Sequence, residues 1–348
     1  MLVFFIIVLL LSLHTFRIAP EGTIDKGYLS RETTTAIKGI FISLVFLSHV
    51  STYVHMESAS DTIYYAVKSY LGQFVVAYFL FASGFGIMES IKRKGQPYIK
   101  RLPTKRIGKT LLHFDMAVLL FLLLDLALGT KLSIQQIGLS LIAFTSIGNS
   151  DWYIFAILGT YICTWIGFSL VGKKSNIAGM LLSSILIALF VLWQYFIGRP
   201  DYAFNTIICY PLGMTWSLIK PKFDSFIQKN NTEIKYWILL TACFIVYAML
   251  DGHRNSRILW YQFSVVFFVV LLLLLSLKLN FNNAFTQFMG THLFSIYILQ
   301  RIPMNLLAHF SVNTAAPHVY VIICFLSTIV FALLFDKISS HIDAGIFS

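Results

Sequence analysis

A lysine and a histidine lie eleven residues apart in an otherwise apolar stretch, as Lys38 and His49 of the segment IKGIFISLVFLSH. In an α-helix that spacing is about three turns, so both side chains fall on one face, about 16 Å apart along the axis. Ionisable residues in such surroundings are costly and usually functional. Because an imidazole can accept a hydroxyl proton near neutral pH, the pair predicts proton-transfer chemistry at His49. The alternative is a histidine that only hydrogen-bonds across a bundle.

The composition indicates a membrane protein. The chain is 57% hydrophobic and 12% charged, with a mean hydropathy of +0.77, whereas soluble domains carry about a quarter charged residues. In a soluble protein the net charge of +11 would suggest nucleic acid binding. Here the charges cluster between apolar runs, as topology signals do. We therefore expect membrane lipids around the chain and no nucleic acid partner, and the sequence carries no signal of oligomeric state.

Apolar runs of about the length that a spanning helix needs recur along the whole chain. They lie near 2–18, 37–56, 69–89, 110–129, 152–171, 177–197, 203–219, 235–251, 258–277, 288–308 and 318–336. The sequence therefore predicts an all-α fold, a polytopic helical bundle with about eleven transmembrane helices. The first run resembles a signal peptide, but no basic residue precedes it and no small-residue cleavage site follows, which favours an uncleaved helix.

Lysine and arginine predict the orientation. With the N-terminus outside, all but six of the 26 Lys and Arg residues fall in inner loops or at inner helix ends, including Lys173 and Lys174. The six exceptions are Lys68, Lys131, Arg199, Arg254, Arg257 and Arg301. This bias predicts an outer N-terminus and a cytoplasmic C-terminus. It also places Lys38 at the inner mouth of its helix and His49 near or beyond the midplane.

The cysteines argue against a metal site. All four lie inside apolar runs, with no CxxC pair and no histidine at metal-ligand spacing: Cys163, Cys209, Cys243 and Cys324. We therefore expect neither a disulfide framework nor a bound metal.

Several segments together resemble a known family. Lys38-Gly39-Ile40 with His49 is similar to the Arg/Lys-x10-His hallmark of acyltransferase family 3, membrane O-acyltransferases that modify bacterial surface polysaccharides. Residues 79–85 (FLFASGF) resemble its FFxxSGF motif, residues 98–109 its basic stretch, and residues 151–153 (DWY) its LW(F/Y)L helix start. Residues 210–214 and 290–300 resemble two later motifs. The resemblance covers about residues 36–336.

The resemblance implies two parts and a location. Residues 36–340 would form a ten-helix acyltransferase membrane domain. Residues 1–35 would then be an extra N-terminal transmembrane helix with a basic inner loop. Such a protein resides in the bacterial inner (plasma) membrane and crosses it many times. It has no permanently bound cofactor and uses an acyl-CoA, foremost acetyl-CoA, as donor.

The donor carries phosphate groups, for which arginine and lysine are suited. We expect donor contacts near the inner mouth from Lys38, Arg101, Arg106 and Lys109. The basic stretch also has the plain explanation of positive-inside bias. Ser83 and Gly84 are further donor-side candidates, because donors near them could support the oxyanion.

The acceptor implied by the resemblance is a hydroxyl of a cell-surface or lipid-linked polysaccharide. His49 would remove the hydroxyl proton or would carry the acyl group itself, and the sequence leaves both routes open. Acceptor-side candidates are Trp152, Tyr153 and Asp115. Aromatic residues at a helix start are also typical of the membrane interface, and Asp115 could instead hydrogen-bond between helices.

Two other functions remain at this point. A transporter or flippase for glycan precursors would also be polytopic and basic, but it would favour paired inverted repeats, which the sequence lacks. A membrane scaffold or sensor would have no need of a lysine and a histidine on one buried helix face.

Overall fold

The computed structural model describes residues 1–56, 58–172 and 175–346, and this part of the chain is mostly helical. In chain order its helices are α1 (Leu2–Leu13), α2 (Arg31–Val50), α3 (Asp61–Leu71), α4 (Phe74–Lys94), α5 (Gln96–Leu102), a π-helical turn (Pro103–Gly108), α6 (Lys109–Ala127), α7 (Ile134–Leu141), α8 (Trp152–Val171), α9 (Asn176–Phe196), a 3-10 turn (Asp201–Ala203), α10 (Cys209–Gln228), α11 (Thr232–Asp251), α12 (Ile258–Ser276), α13 (Ala284–Thr291), α14 (Leu293–Leu299), α15 (Arg301–His309), α16 (Val312–Ala315) and α17 (Pro317–Ile346).

A short antiparallel ribbon joins two distant connections. Strand β1 (Arg17–Ile18) pairs with β2 (Leu279–Asn280). Just beyond β2, the Asn283 side-chain amide donates to the carbonyl oxygens of Leu11 and Ser12 at 3.2 and 3.0 Å. These bonds satisfy carbonyls that the end of α1 leaves open. They attach the N-terminal segment to the start of α13.

The structure confirms an all-α membrane fold with many crossings. Eight helical stretches of the described chain are long and apolar enough to span a bilayer. α1 has 12 residues, which makes it about 18 Å long, shorter than a hydrocarbon core of about 30 Å. The total of about eleven crossings, the orientation and the division at residue 35 stay predictions. Lys173 and Lys174, used in the orientation argument, lie outside the described residues.

α2 begins earlier than its apolar run predicts. The run covers 37–56, whereas the helix covers Arg31–Val50 because the Ser30 hydroxyl accepts a hydrogen bond from the Thr33 amide at 3.1 Å and caps it. Lys38 therefore lies about two turns into the helix, and His49 lies in its last turn. One continuous helix carries both residues.

Glycines fix α2 and α4 against their neighbours at backbone contact. A Cβ at Gly39 would lie 1.9 Å from the Thr286 carbonyl oxygen of α13, and one at Gly290 would lie 1.9 Å from the Thr35 carbonyl oxygen of α2. α4 and α10 meet in the same way through Gly84 and Gly213. Small residues allow such close helix crossings in membranes, so α2 is held tightly against α13, and α4 against α10.

The predicted span 288–308 is divided. It contains α13, α14 and α15, which are separated at His292 and Gln300. The division places Tyr297 near the end of α14 and Arg301 at the start of α15.

Candidate active site

Two cavities lie at opposite ends of α2. The Lys38 cavity has a volume of about 780 Å³ and includes Arg31, Lys38, Ser83, Glu89, Arg93, Arg106 and Tyr161 in its lining. The His49 cavity has a volume of about 740 Å³ and includes Ser48, His49, Lys68, Asn149, Ser150, Asp151, Trp152, Tyr202, Tyr297 and Arg301. None of the described residues lines both cavities. Lys38 and His49 therefore lie on one helix but line separate chambers.

The Lys38 cavity is strongly cationic. Its lining has four cationic side chains, Arg31, Lys38, Arg93 and Arg106, and one carboxylate, Glu89. That carboxylate is already engaged, since it accepts hydrogen bonds from Lys92 at 2.6 Å and from the Ser217 hydroxyl at 2.7 Å. The excess of positive charge makes this chamber suited to a ligand with several negative charges.

Arg106 enters the Lys38 cavity from the π-helical turn between α5 and α6. Its Nε donates to the Tyr98 hydroxyl at 3.3 Å. π-Helical turns are rare and occur often at functional sites. The turn brings a cation from the basic stretch to the same chamber as Lys38, as the sequence predicts.

The other two basic candidates are placed elsewhere. Lys109 lies 2.5 Å from an Asp343 carboxylate oxygen, and the His113 Nε2 lies 2.9 Å from the other oxygen of that carboxylate. Arg101 is exposed, and neither it nor Lys109 lines the Lys38 cavity. Their positions give no support to the donor contacts predicted for them.

Ser83 and Gly84 have different surroundings although they are adjacent in sequence. Ser83 lines the Lys38 cavity and lies close to the hydroxyl groups of Tyr153 and Tyr161. Gly84 faces α10, where an added Cβ would lie 2.1 Å from the Tyr210 carbonyl oxygen. Helix packing accounts for Gly84, and only Ser83 is placed to meet a ligand.

His49 forms part of the wall of the second cavity. Its Nδ1 is buried and has no hydrogen-bond partner among the described residues. The nearest aromatic neighbour in the cavity lining is Tyr297, with ring centroids 6.4 Å apart. The imidazole is therefore not committed to an interhelical hydrogen bond through that nitrogen, and it borders a space large enough for a substrate.

The acceptor-side candidates divide among three environments. Trp152 lines the His49 cavity and meets Tyr202 edge-on at a centroid distance of 6.2 Å. Tyr153 is buried behind the cavity wall. Asp115 lies on α6, lines neither cavity, and has a buried carboxylate oxygen without a partner in the described chain. Of the three, Trp152 alone borders the space next to His49.

An aromatic septum, formed by Phe79, Tyr153 and Tyr297, extends from α4 to the wall of the His49 cavity. The ring centroids are 6.1 Å apart between Phe79 and Tyr153 and 5.6 Å apart between Tyr153 and Tyr297. Ser83, in the Lys38 cavity, lies near Tyr153 on one side, and His49 lies near Tyr297 on the other. These side chains form a line of aromatic contacts that runs from α4 to His49.

Sequence reasoning did not place Lys68 and Asp151 at the site, and it expected only a buried partner or cavity for Arg301. All three line the His49 cavity. Burial raises the pKa of the Asp151 carboxyl, while the charges of Arg199 and Arg301 oppose that shift. A signal existed for the cations, because Lys68 and Arg301 are two of the six basic residues that depart from the positive-inside pattern.

The described part of the chain contains no group of three or more His, Cys, Asp or Glu side chains that could bind a metal ion. The four cysteines are unpaired thiols.

Comparison with known proteins gives one match that covers most of the chain. Residues 35–337 match the model of acyltransferase family 3, described as an acyltransferase domain. No curated protein and no solved structure matches the chain at a significant level.

Proposed function

Because this chain belongs to acyltransferase family 3 and is a membrane acyltransferase, we propose that it is an O-acyltransferase whose donor is an acyl-CoA, foremost acetyl-CoA. The acceptor is a hydroxyl of a cell-surface or lipid-linked polysaccharide, and the protein works in the bacterial inner membrane. The observation that carries the proposal is the pair of chambers at the two ends of α2. One is cationic, and the other contains a histidine beside aromatic and amide side chains.

The donor fits the Lys38 cavity by charge. CoA carries several phosphate charges, and lysine and arginine are the side chains that bind phosphate. Lys38 and Arg106 are the contacts expected from the sequence. Arg31 and Arg93, which line the same chamber, add to them. The predicted orientation opens this chamber to the cytoplasm, where acyl-CoA is made.

The acyl group must reach His49 from the Lys38 cavity. The pantetheine arm of CoA is long and uncharged, so it can extend past Ser83 while the phosphates stay at the cationic mouth. The septum lies in this path, and its rings must shift to admit the thioester. A donor bound in this way presents the acyl carbon to the His49 side of the membrane and leaves the CoA body on the other.

In the proposed transfer, the carbon–sulfur bond of the thioester breaks and an ester bond to the acceptor oxygen forms. His49 takes the proton of the acceptor hydroxyl as its oxygen attacks the thioester carbonyl carbon, the carbon–sulfur bond breaks, and the sulfur leaves as CoA thiolate, which takes up a proton. In the second route His49 itself attacks the carbonyl, holds the acyl group, and passes it to the hydroxyl. Both routes end in an ester on the acceptor and free CoA.

The His49 cavity fits a carbohydrate acceptor. Trp152 and Tyr202 present aromatic surface, and Asn149, Ser48 and Ser150 present hydrogen-bonding groups. Carbohydrate sites combine these two features because sugar rings have apolar faces and polar edges.

The test compares cell-surface and lipid-linked glycans from cells with the protein, without it, and with His49→Ala at equal abundance. We expect an ester mass that is present only with the unaltered protein. Purified protein in nanodiscs should also bind acetyl-CoA. Identical glycans in all three strains would disprove the proposal.

A further inference from the structure

The His49 cavity contains two positive charges, which a neutral sugar does not require. Lys68 of α3 and Arg301 of α15 reach the cavity from different parts of the chain. We propose that these two cations form a subsite for an anionic group of the acceptor, a phosphate or a carboxylate. The inference rests on the proposed function, because it names the substrate class that the acceptor chamber takes.

Both cations are held in place by hydroxyl groups. The Lys68 Nζ donates to the Ser51 hydroxyl at 2.7 Å, and the Arg301 Nε donates to the Ser150 hydroxyl at 3.2 Å. Each side chain is half-buried. Hydroxyl groups orient a cation but leave its charge uncompensated, so each retains the capacity to bind an anion.

Among the described residues, neither cation has a carboxylate partner. The ion pairs of the described residues, within 4 Å, include neither Lys68 nor Arg301. Asp151 is the only acid among the described residues that line the cavity, and burial favours its neutral form by raising its pKa. The cavity therefore has a net positive charge whether Asp151 is ionised or not.

Arg254, another cation outside the predicted inner loops, provides the contrast. It lies 3.1 Å from the Asp251 carboxylate, with its guanidinium 4.7 Å from the Tyr70 ring centroid. Arg254 thus has its counter-charge within the protein. Half-buried cations are costly in a membrane protein unless they are paired. We infer that an anionic group of the substrate supplies the counter-charge for Lys68 and Arg301.

Because the subsite lies in the same cavity as His49, it could position the acceptor for transfer. An acceptor held through its anionic group would be anchored at one point, and a nearby hydroxyl could then approach the imidazole. A phosphate that links a glycan to its lipid and a carboxylate of an acidic sugar share the required charge. If the two cations instead stabilised only the oxyanion of the transfer step, their removal would slow transfer without weakening acceptor binding.

The first experiment uses unaltered protein in nanodiscs and compares charged probes with neutral ones. Farnesyl phosphate is compared with farnesol, and a glucuronic acid trisaccharide with the matching glucose trisaccharide. We expect one charged probe to bind at least about tenfold more tightly than its neutral partner, and the difference to shrink at high salt. Preference in the first pair identifies a lipid phosphate, and preference in the second an acidic sugar. Equal affinity within both pairs would overturn the proposal.

The second experiment locates the subsite. Lys68→Gln and Arg301→Gln should each weaken binding of the preferred probe by about tenfold, while Arg254→Gln should not. Acetyl-CoA binding by every variant tests folding and the Lys38 cavity separately. Where a glutamine variant does not fold, Lys68→Arg and Arg301→Lys should retain the preference for the charged probe. A folded glutamine variant with unchanged probe affinity but slower transfer would contradict the subsite and favour the oxyanion role.

Discussion

At the residue scale, the proposed function makes His49 the side chain on which the chemistry depends. Its imidazole borders the His49 cavity, and its Nδ1 lacks a partner in the described chain. We expect His49→Gln to reduce ester transfer by about 100-fold or more, the range for loss of a general base, and to leave acetyl-CoA affinity unchanged. Transfer and binding assays on purified protein measure the two quantities. Substantial transfer by the folded variant would exclude His49 from the chemical step.

The same residue distinguishes the two routes. Incubation with radiolabelled acetyl-CoA and no acceptor should label the protein if His49 carries the acyl group, and the label should be absent in His49→Gln. A general base gives no label in either protein. The structure is compatible with both, because each route requires only an accessible imidazole next to the chamber.

Lys38 and Lys109 offer a matched comparison, since both were predicted as donor contacts. Lys38 lines the cationic chamber, whereas Lys109 is paired with Asp343. We expect Lys38→Met to raise the KM for acetyl-CoA by about tenfold, the loss typical of one charge-assisted contact, and Lys109→Met to leave it near the original value. Equal effects of the two substitutions would contradict the assignment of the donor chamber.

At the element scale, the contact between α4 and α10 sets the position of Ser83 and the septum. Gly84 has no room for a methyl group, but Gly86 on the same helix has nothing within 4 Å of an added Cβ. Gly84→Ala should therefore force the helices apart and destabilise the fold by about 1–3 kcal/mol. Gly86→Ala should not lower the Tm. A thermal melt in detergent compares them, and equal melting temperatures would refute the packing argument.

The elements also mark what sequence patterns can and cannot predict. Apolar runs located the long helices, because burial in lipid requires such runs. They misplaced the start of α2, which depends on the Ser30 cap, and they did not reveal the division of 288–308 into three helices. Caps and breaks depend on single side chains and local geometry, which a hydropathy window averages away.

At the site, the sequence predicts the placement of residues on one helix but not the contacts between residues far apart in the chain. Lys38 and His49 could be placed because a helix relates them by geometry alone. The pairing of Lys109 with Asp343 joins residues far apart in the chain, and the contact of Gly84 with Tyr210 depends on a helix crossing. Lys68 and Arg301 reached the same chamber from distant helices. Such contacts become visible only when the helices are assembled.

At the scale of the whole molecule, the predicted orientation determines which exposed positions an external reagent can reach. Ser58 lies near the predicted outer end of the bundle and Lys100 near the predicted inner end, and both are exposed. Of the native cysteines, three are buried and Cys163 is half-buried, so they should react slowly. We expect Ser58→Cys to react with a membrane-impermeant maleimide in intact cells and Lys100→Cys to react only after permeabilisation. The reverse pattern would invert the topology and the proposed side of the donor.

On the path proposed for the acyl group, the thioester passes the septum, so the size of the septum rings should limit the acyl group that can be transferred. Tyr153 and Tyr297 meet with ring centroids 5.6 Å apart, so the proposed path requires these rings to shift. Tyr297→Ala should therefore raise kcat/KM for butyryl-CoA relative to acetyl-CoA by about tenfold, whereas Tyr297→Phe, which keeps the ring, should preserve the original ratio. Because both rates are measured on one protein, partial loss of folded enzyme cancels in the ratio. An unchanged ratio in Tyr297→Ala would mean that the acyl group reaches His49 by a path that the septum does not control.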